Sequence, residues 1–557
     1  MVERPVFGGV LLALVFWWPS LTPTLIPRPW AAQAVISGVC LGIGYGVGAL
    51  VDSGVERLLK RWNRLPGPTA QRWSWIVLGA LWLVAVLLGG RLWLRWQNDQ
   101  RDLMGMPLVH WWHAVAALAL SVVVGALLVV VGRAIDRGVR GLNGQVRRRL
   151  PNAHRAPLVT LLILVIGIAL VGLAGFRGLS AYANSTYGSE NDSTDEGISV
   201  PASSSVSGSS ESLVPWQSLG RTGRNFVATA TTPAQLEAFH GPADHPAVPV
   251  RVYVGVHSAD TLQERAALAV RELERAGGFD RKILVVWIPT GSGWVVSEAA
   301  EAVEQLYDGD TAIVAIQYSF LPSLLNVFLK PGIATQAGSA LFSAVEKRWL
   351  QLPPDHRPKL VLFGKSLGTS GVEAPFAAVD AASSLANLVA RTDGALIVGA
   401  QHGNAILSQL TRGRDPGSPV WQPVYDAGHT VRFFSRDPNP PTLSSDWPAP
   451  RVVYLQHPSD PVPFWGIDAF WRPPEWMDQP RGYDVPGAAR WFPIVSGIQA
   501  AGDQFYQLSP PPGFGHDYGT EYVLGWAEVA PPTGWTDSDT QRLEDFLDHG
   551  GEGESEE

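Results

Sequence analysis

Cysteine is all but missing: the 557 residues hold one, Cys40. An intramolecular disulfide, a cysteine-ligated zinc and a CxxC redox pair are thereby excluded. Charge is scarce too, at 17% Asp, Glu, Lys and Arg, against about a quarter in an average soluble domain. With 46% apolar residues, that scarcity argues against a wholly soluble chain. Cations are short where a nucleic acid would need them. Beyond residue 176 there are 25 Lys and Arg against 44 Asp and Glu, and phosphate contacts require clustered Lys or Arg. Before that point the balance reverses, with 17 basic against 6 acidic residues. A basic, apolar part joined to an acidic, polar one reads as a membrane domain followed by a water-exposed domain.

Four long apolar stretches, about 30–51, 73–94, 109–132 and 158–176, approach or exceed the roughly 20 helical residues that cross a bilayer. A fifth, 6–18, is shorter and runs into Pro19, Pro23, Pro27 and Pro29. It reads as a proline-broken spanning helix or a re-entrant piece, so the bundle is expected to hold four or five helices. No charge lies mid-span, which excludes an ion or proton pathway built on such residues. The loops carry the orientation. Arg57, Lys60, Arg61, Arg64 and Arg72 fill one, and Arg133, Arg137, Arg140, Arg147, Arg148, Arg149 and Arg155 another. The positive-inside bias puts both in the cytoplasm and the C-terminal part outside.

Residues 178–215 are Ser-rich and poor in apolar side chains, the composition of a flexible tether. From residue 249 short β-branched runs alternate with helical patterns. The strands expected are 250–256, 283–288, 311–317, 360–363, 395–398, 431–434 and 452–455, with helices over 262–276, 295–307, 335–350 and after 366. Continuous apolar strands separated by helices predict a mostly parallel sheet covered on both faces. The domain plan is thus a transmembrane helical domain over 1–176, a Ser-rich extracytoplasmic linker over 177–222, an α/β catalytic domain over 223–546, and an acidic disordered tail over 547–557.

The strand at 360–363 runs into Gly364-Lys365-Ser366-Leu367-Gly368. GxSxG between a strand and a helix is the pattern of a nucleophile elbow, where the serine hydroxyl stands exposed on a strained turn. A phosphate-binding loop is excluded, because position 359, where its first glycine belongs, is Lys359. Two further segments end strands in the right order. Asp460 follows the strand at 452–455, and His516 sits in the glycine-rich loop 512–519. Nucleophile, acid, base is one of the three known triad orders. The turn Pro289-Thr290-Gly291-Ser292-Gly293-Trp294 could supply one oxyanion donor, from Gly291 or Ser292, with Leu367 supplying the other. His402 and His457 compete as bases and Asp503 and Asp468 as acids. His457, so close to Asp460, reads better as lining the pocket, together with Trp294, Tyr318, His402 and Lys365. His110 and His113 share a helical face without a third ligand, and neither a metal nor a cofactor is expected.

Several separated blocks carry a resemblance: Phe16–Arg28, Gly223–Val227, Pro289–Trp294, Gln317–Pro322, Phe363–Gly368, Tyr454–Pro461 and Pro512–Tyr518. In these the chain resembles the actinobacterial membrane-anchored α/β-hydrolase family, in which a multi-helix domain precedes a serine hydrolase domain. The resemblance implies an α/β-hydrolase fold, and one implied substrate class is an aminoacyl-phospholipid. Two departures stand out. Lys365 replaces an acidic or small residue, and Val398–Gly403 lacks a proline-rich turn. An ammonium beside the serine would serve an anionic head group or the oxyanion, unless the side chain points away into solvent.

The expectation is a membrane-integral serine esterase on the outer face that cleaves an ester of a lipid or envelope component. An acyltransferase using the same acyl-enzyme is the runner-up, and a non-catalytic receptor or scaffold on the same fold comes third. Oligomeric state is not legible.

Overall fold

In the computed structural model, which describes residues 5–62, 67–149, 153–241 and 246–550, the apolar stretches are helices longer than the runs that predict them. Arg64 and residues 551–557 of the acidic tail lie outside the described residues. After a short α1 (Phe7–Trp17) come α2 (Trp30–Arg61), α3 (Pro68–Leu103), α4 (Trp111–Arg149) and α5 (Ala156–Asp192). The last four are each long and apolar enough to cross a membrane. The first ends just before Pro19, which cannot donate into a continuing helix.

The chain forms two compact units: residues 1–178 with 465–511, and residues 179–464 with 512–557. In the first, a glycine seam brings α1 and α2 into backbone contact. A Cβ on Gly48 would lie 2.1 Å from the Gly8 carbonyl oxygen, so only glycine permits the approach. Trp17 Nε1 donates to Ser121 Oγ of α4 at 3.0 Å, and Trp82 Nε1 of α3 to the Val10 carbonyl at 3.3 Å. On α5, Leu161, Ile168 and Val171 are exposed, as lipid-facing side chains are.

Residues 465–511 correct the domain plan, which assigned them to a continuous catalytic domain. Their helix Val495–Asp503 packs Val495 against Ile36 and Cys40 of α2. Asp503 forms a buried ion pair with Arg28, Nε to Oδ1 2.8 Å. That pairing removes Asp503 as an alternative catalytic acid.

The second unit holds a seven-stranded parallel sheet: β1 (Val250–Val254), β2 (Ile283–Ile288), β3 (Thr311–Ile316), β4 (Lys359–Lys365), β5 (Gly394–Val398), β6 (Val431–Phe434) and β7 (Arg451–Leu455), in the order β1-β3-β2-β4-β5-β7-β6. Strands β1, β2, β3 and β5 are buried throughout, as a sheet covered on both faces requires. Right-handed crossovers in this order put Leu262–Arg275 and Ile333–Trp349 on one face and Ser297–Leu306 on the other, and Glu521–Val529, after the last strand, packs beside Ser297–Leu306. The contacts between the members of each pair agree with that division.

The Ser-rich stretch is not a tether. Helix α5 runs through it to Asp192, and Asn191 Oδ1 accepts from Gln317 Nε2 at 2.8 Å. Val206 bridges to Arg251 on the edge strand β1, and the buried Glu272 carboxylate accepts from Ser212 Oγ at 2.6 Å and Leu213 N at 2.8 Å. Hydrogen bonds to serine hydroxyls and backbone hold the segment where apolar area is lacking, and the cover closes the sheet edge. At the other end the helix Asp537–Gly550 takes in the start of the supposed tail.

Candidate active site

The loops after β2, β4 and β7 carry every group that sequence reasoning put in the triad and the oxyanion hole except the base, which lies on the turn 512–519. Strand β4 ends at Lys365, and the chain turns at Ser366 into the helix Gly368–Glu373. Ser366 adopts φ +55°, a left-handed conformation that costs a non-glycine residue on the order of 1 kcal/mol or more. The turn is this tight because Gly368 sits against β2: a Cβ there would lie 2.1 Å from the Ile288 carbonyl oxygen.

His516 and Asp460 are both buried, with Nδ1 and Oδ2 2.7 Å apart. The other Asp460 oxygen accepts the Val462 N–H at 2.9 Å, and Tyr518 donates its hydroxyl to Oδ2 at 2.8 Å. This arrangement fixes the proton on Nδ1 and leaves Nε2 as the basic nitrogen. Nε2 is buried and has no hydrogen-bond partner among the described residues. Ser366 comes to the same strand end, for its N–H donates to the Val398 carbonyl at 3.0 Å. The next residue, Gly399 at φ +54°, packs so closely on the imidazole that a Cβ would lie 2.4 Å from His516 Cε1.

The oxyanion candidates divide. Leu367 caps the helix after the serine, and its N–H has no partner among the described residues, as expected of a first-turn donor. Gly291 N–H is engaged by Ser323 Oγ at 3.1 Å. Ser292 lines, with Trp294 and Arg221, a cavity of about 390 Å³.

The remaining predicted pocket residues mostly lie elsewhere. Tyr318 is buried with its hydroxyl on the Pro289 carbonyl at 2.9 Å, so it props the 289–294 turn. His402 is exposed, with Nδ1 3.1 Å from the Pro463 carbonyl oxygen. His457 is buried behind the His516 turn, with Nδ1 2.9 Å from the Gly515 carbonyl oxygen and Nε2 3.0 Å from the Glu521 carboxylate. Lys365 is buried rather than turned into solvent. Its Nζ lies 5.4 to 5.8 Å from the ring centres of Trp294, Tyr518 and Tyr522. Burial pushes its pKa down, and the attraction of Asp517, Glu298 and Asp460 opposes that push.

Sequence reasoning missed the supports. Tyr518 and Gly399 touch the His516–Asp460 pair, and Ser459 Oγ accepts the Gly515 N–H at 2.9 Å. Glu373, at the end of the serine's helix, accepts from Ile406 N at 2.6 Å and from Tyr454 Oη at 3.0 Å. It also accepts from Asn404 Nδ2, which bonds Thr369 Oγ1 at 2.8 Å. Thr369 Oγ1 in turn donates to the Ser366 carbonyl at 2.5 Å. Only Tyr518 carried a signal, its place two residues after His516.

Residues 250–543 match the model of the Alpha/beta-hydrolase family, and residues 21–230 match that of the Alpha/beta-hydrolase family N-terminus. No curated protein and no solved structure matches the chain.

Proposed function

The chain belongs to the alpha/beta-hydrolase family, and we propose that it is a membrane-anchored serine hydrolase cleaving an ester of a lipid or envelope component. One observation carries the proposal: Ser366 on a strained elbow shares a strand end with a buried His516–Asp460 pair whose Nε2 is unclaimed among the described residues. Ser366 Oγ attacks the ester carbonyl carbon while His516 Nε2 takes its proton. Asp460 holds the imidazole and balances its charge, and the N–H groups of Leu367 and Ser292 receive the developing oxyanion. Collapse expels the alcohol, which takes the proton from His516. Water, deprotonated by the same nitrogen, then releases the acid and restores Ser366. Gly291 drops out as a donor because its N–H is already engaged.

A fluorophosphonate probe tests the reading. It should label the wild type and not Ser366→Ala, and an unlabelled wild type would sink it.

The arginine-rich loops on the other side of α5 support a hydrolase domain outside the cytoplasm. An alkaline phosphatase fused at the C-terminus should therefore be active, and a fluorescent protein that folds only in the cytoplasm should stay dark there. The opposite pair of results would reverse the orientation.

A further inference from the structure

Residues 465–511 lie in sequence between Asp460 and His516, yet they pack within the membrane unit. A ladder of buried polar contacts fixes where they enter. Asp503 Oδ1 accepts from Arg28 Nε at 2.8 Å and Thr24 Oγ1 at 3.0 Å, and Gln499 Nε2 donates to the Thr22 carbonyl at 2.9 Å. The same strip of chain is tied to α3, because Arg28 N donates to Gln97 Oε1 at 3.1 Å and Gln100 Nε2 to the Thr24 carbonyl at 2.9 Å.

From that polar layer the helix Val495–Asp503 leads down the bundle. Gly502 meets Ile36 of α2, Val495 packs on Ile36 and Cys40, and residues 492–495 reach the level of Leu81–Leu88 on α3. At 1.5 Å per residue, Leu88 lies about 13 Å and Leu81 about 24 Å along the α3 axis from Gln97. That is bilayer depth for a span whose hydrocarbon layer is about 30 Å thick. The sequence suits it, since no residue from Trp491 to Gly502 is charged. The irregular backbone is also satisfied from within. Ile494 N donates to the Phe470 carbonyl at 2.7 Å, and Phe492 N to Ser496 Oγ at 2.8 Å, as non-helical chain at membrane depth requires.

Where this segment meets α1 and α3 there is a groove of about 750 Å³, walled by Val15, Trp18, Leu81, Val84, Leu88 and Ile494 among others, and every lining residue is apolar. Ile494 holds φ +67°. A β-branched residue in that region is strained by about 1–3 kcal/mol, and such strain gathers at ligand clamps.

We propose that residues 492–503 form a re-entrant membrane segment and that the groove it closes with α1 and α3 binds one acyl chain of a bilayer lipid. A polar ligand would lose its hydrogen bonds to water and find no partner there. Hydrocarbon chains are what surrounds the groove at that depth. The inference goes beyond the lipid-ester reading and does not depend on it, since the groove would take an acyl chain whether or not that lipid is the substrate.

The test uses the full-length protein in phosphatidylcholine vesicles containing a phosphatidylglycerol with a diazirine midway along one acyl chain. Illumination should leave adducts on the peptide holding residues 492–495. Val84→Trp, which fills the groove, should abolish them while adducts on the lipid-facing side of α5 persist. Leu88→Trp, one turn along the same helix, repeats the test should the first variant misfold. Absence of adducts on 492–495 would overturn the membrane depth of the segment, and adducts that survive both tryptophans would overturn the groove. Fluorophosphonate labelling in the same vesicles reports Ser366 separately. Adducts without labelling leave the groove and remove the hydrolase, and labelling without adducts does the reverse.

Discussion

Asp460 receives three donors: the Val462 N–H on one oxygen, and His516 and the Tyr518 hydroxyl on the other. The tyrosine is the one whose donor a mutation can remove while leaving ring and backbone in place. Burial, then the adjacent Asp460, raises its pKa well above the ordinary phenol value, so it remains a donor throughout the working pH range. A hydrogen bond to a charged group contributes about 1.5–3 kcal/mol, and in the proposed mechanism it restrains the carboxylate that orients the base. Tyr518→Phe should therefore lower kcat on a short-chain ester by about tenfold and leave KM nearly unchanged, because the loss falls on the transition state. Steady-state kinetics would check it. A change in KM alone would mean that the ring shapes the substrate site instead. Lys365 teaches the complementary lesson. Its position beside Ser366 suggests a role toward an anion, but side chains alternate along a strand. With Ser366 turned toward the site, its neighbour is delivered to the aromatic layer beneath.

At the level of elements, all seven strands were legible, because a parallel sheet buried on both faces writes itself as uninterrupted β-branched runs. The elbow and the order of Ser366, Asp460 and His516 were legible for the same reason: each follows a strand end or occupies a glycine-rich turn. The Ser-rich cover of β1 was not, since its order comes from Glu272 and Asn191 rather than from apolar periodicity. Nor was the brace behind the helix that follows Ser366. Burial raises the Glu373 carboxyl from 4.5 to about 7, against the lowering effect of the Ile406 and Leu407 N–H groups, Tyr454 and Asn404. The folded state thus holds this proton more tightly than the unfolded chain, so the associated stability is full below about pH 4.5 and is lost as pH rises to about 7. At 1.36 kcal/mol per pKa unit the swing is on the order of 3 kcal/mol. Glu373→Gln mimics the protonated form and removes the swing. Compared by chemical denaturation, the variant should gain on the wild type by up to that amount between about pH 5 and pH 8. A constant difference across the range would refute the assignment.

For the molecule as a whole, the chain leaves the hydrolase unit after Phe464 and returns at Pro512. Sequence reading could not anticipate this excursion. Residues 465–493 show neither helical nor strand period, and the partners of the following helix lie more than 400 residues away. The ion pair of Arg28 with Asp503, 475 residues apart and about 1% exposed on each side, fastens the excursion to the membrane helices. Such a pair is worth little against a well-packed apolar replacement, whereas a lone survivor is a buried charge without compensation. Arg28→Met and Asp503→Leu should each therefore destabilise the membrane unit by about 3–5 kcal/mol, while the double variant should recover most of that loss. Thermal unfolding of the detergent-solubilised protein would give the ranking, and protease cleavage within residues 465–511 would report whether this segment is what loosens. If the two losses simply add, the charges do not act as a pair. If neither single change is felt, the excursion is held by the packing of Val495 and Gly502 on α2, and the polar layer serves only to satisfy the bends around Pro23 and Pro27.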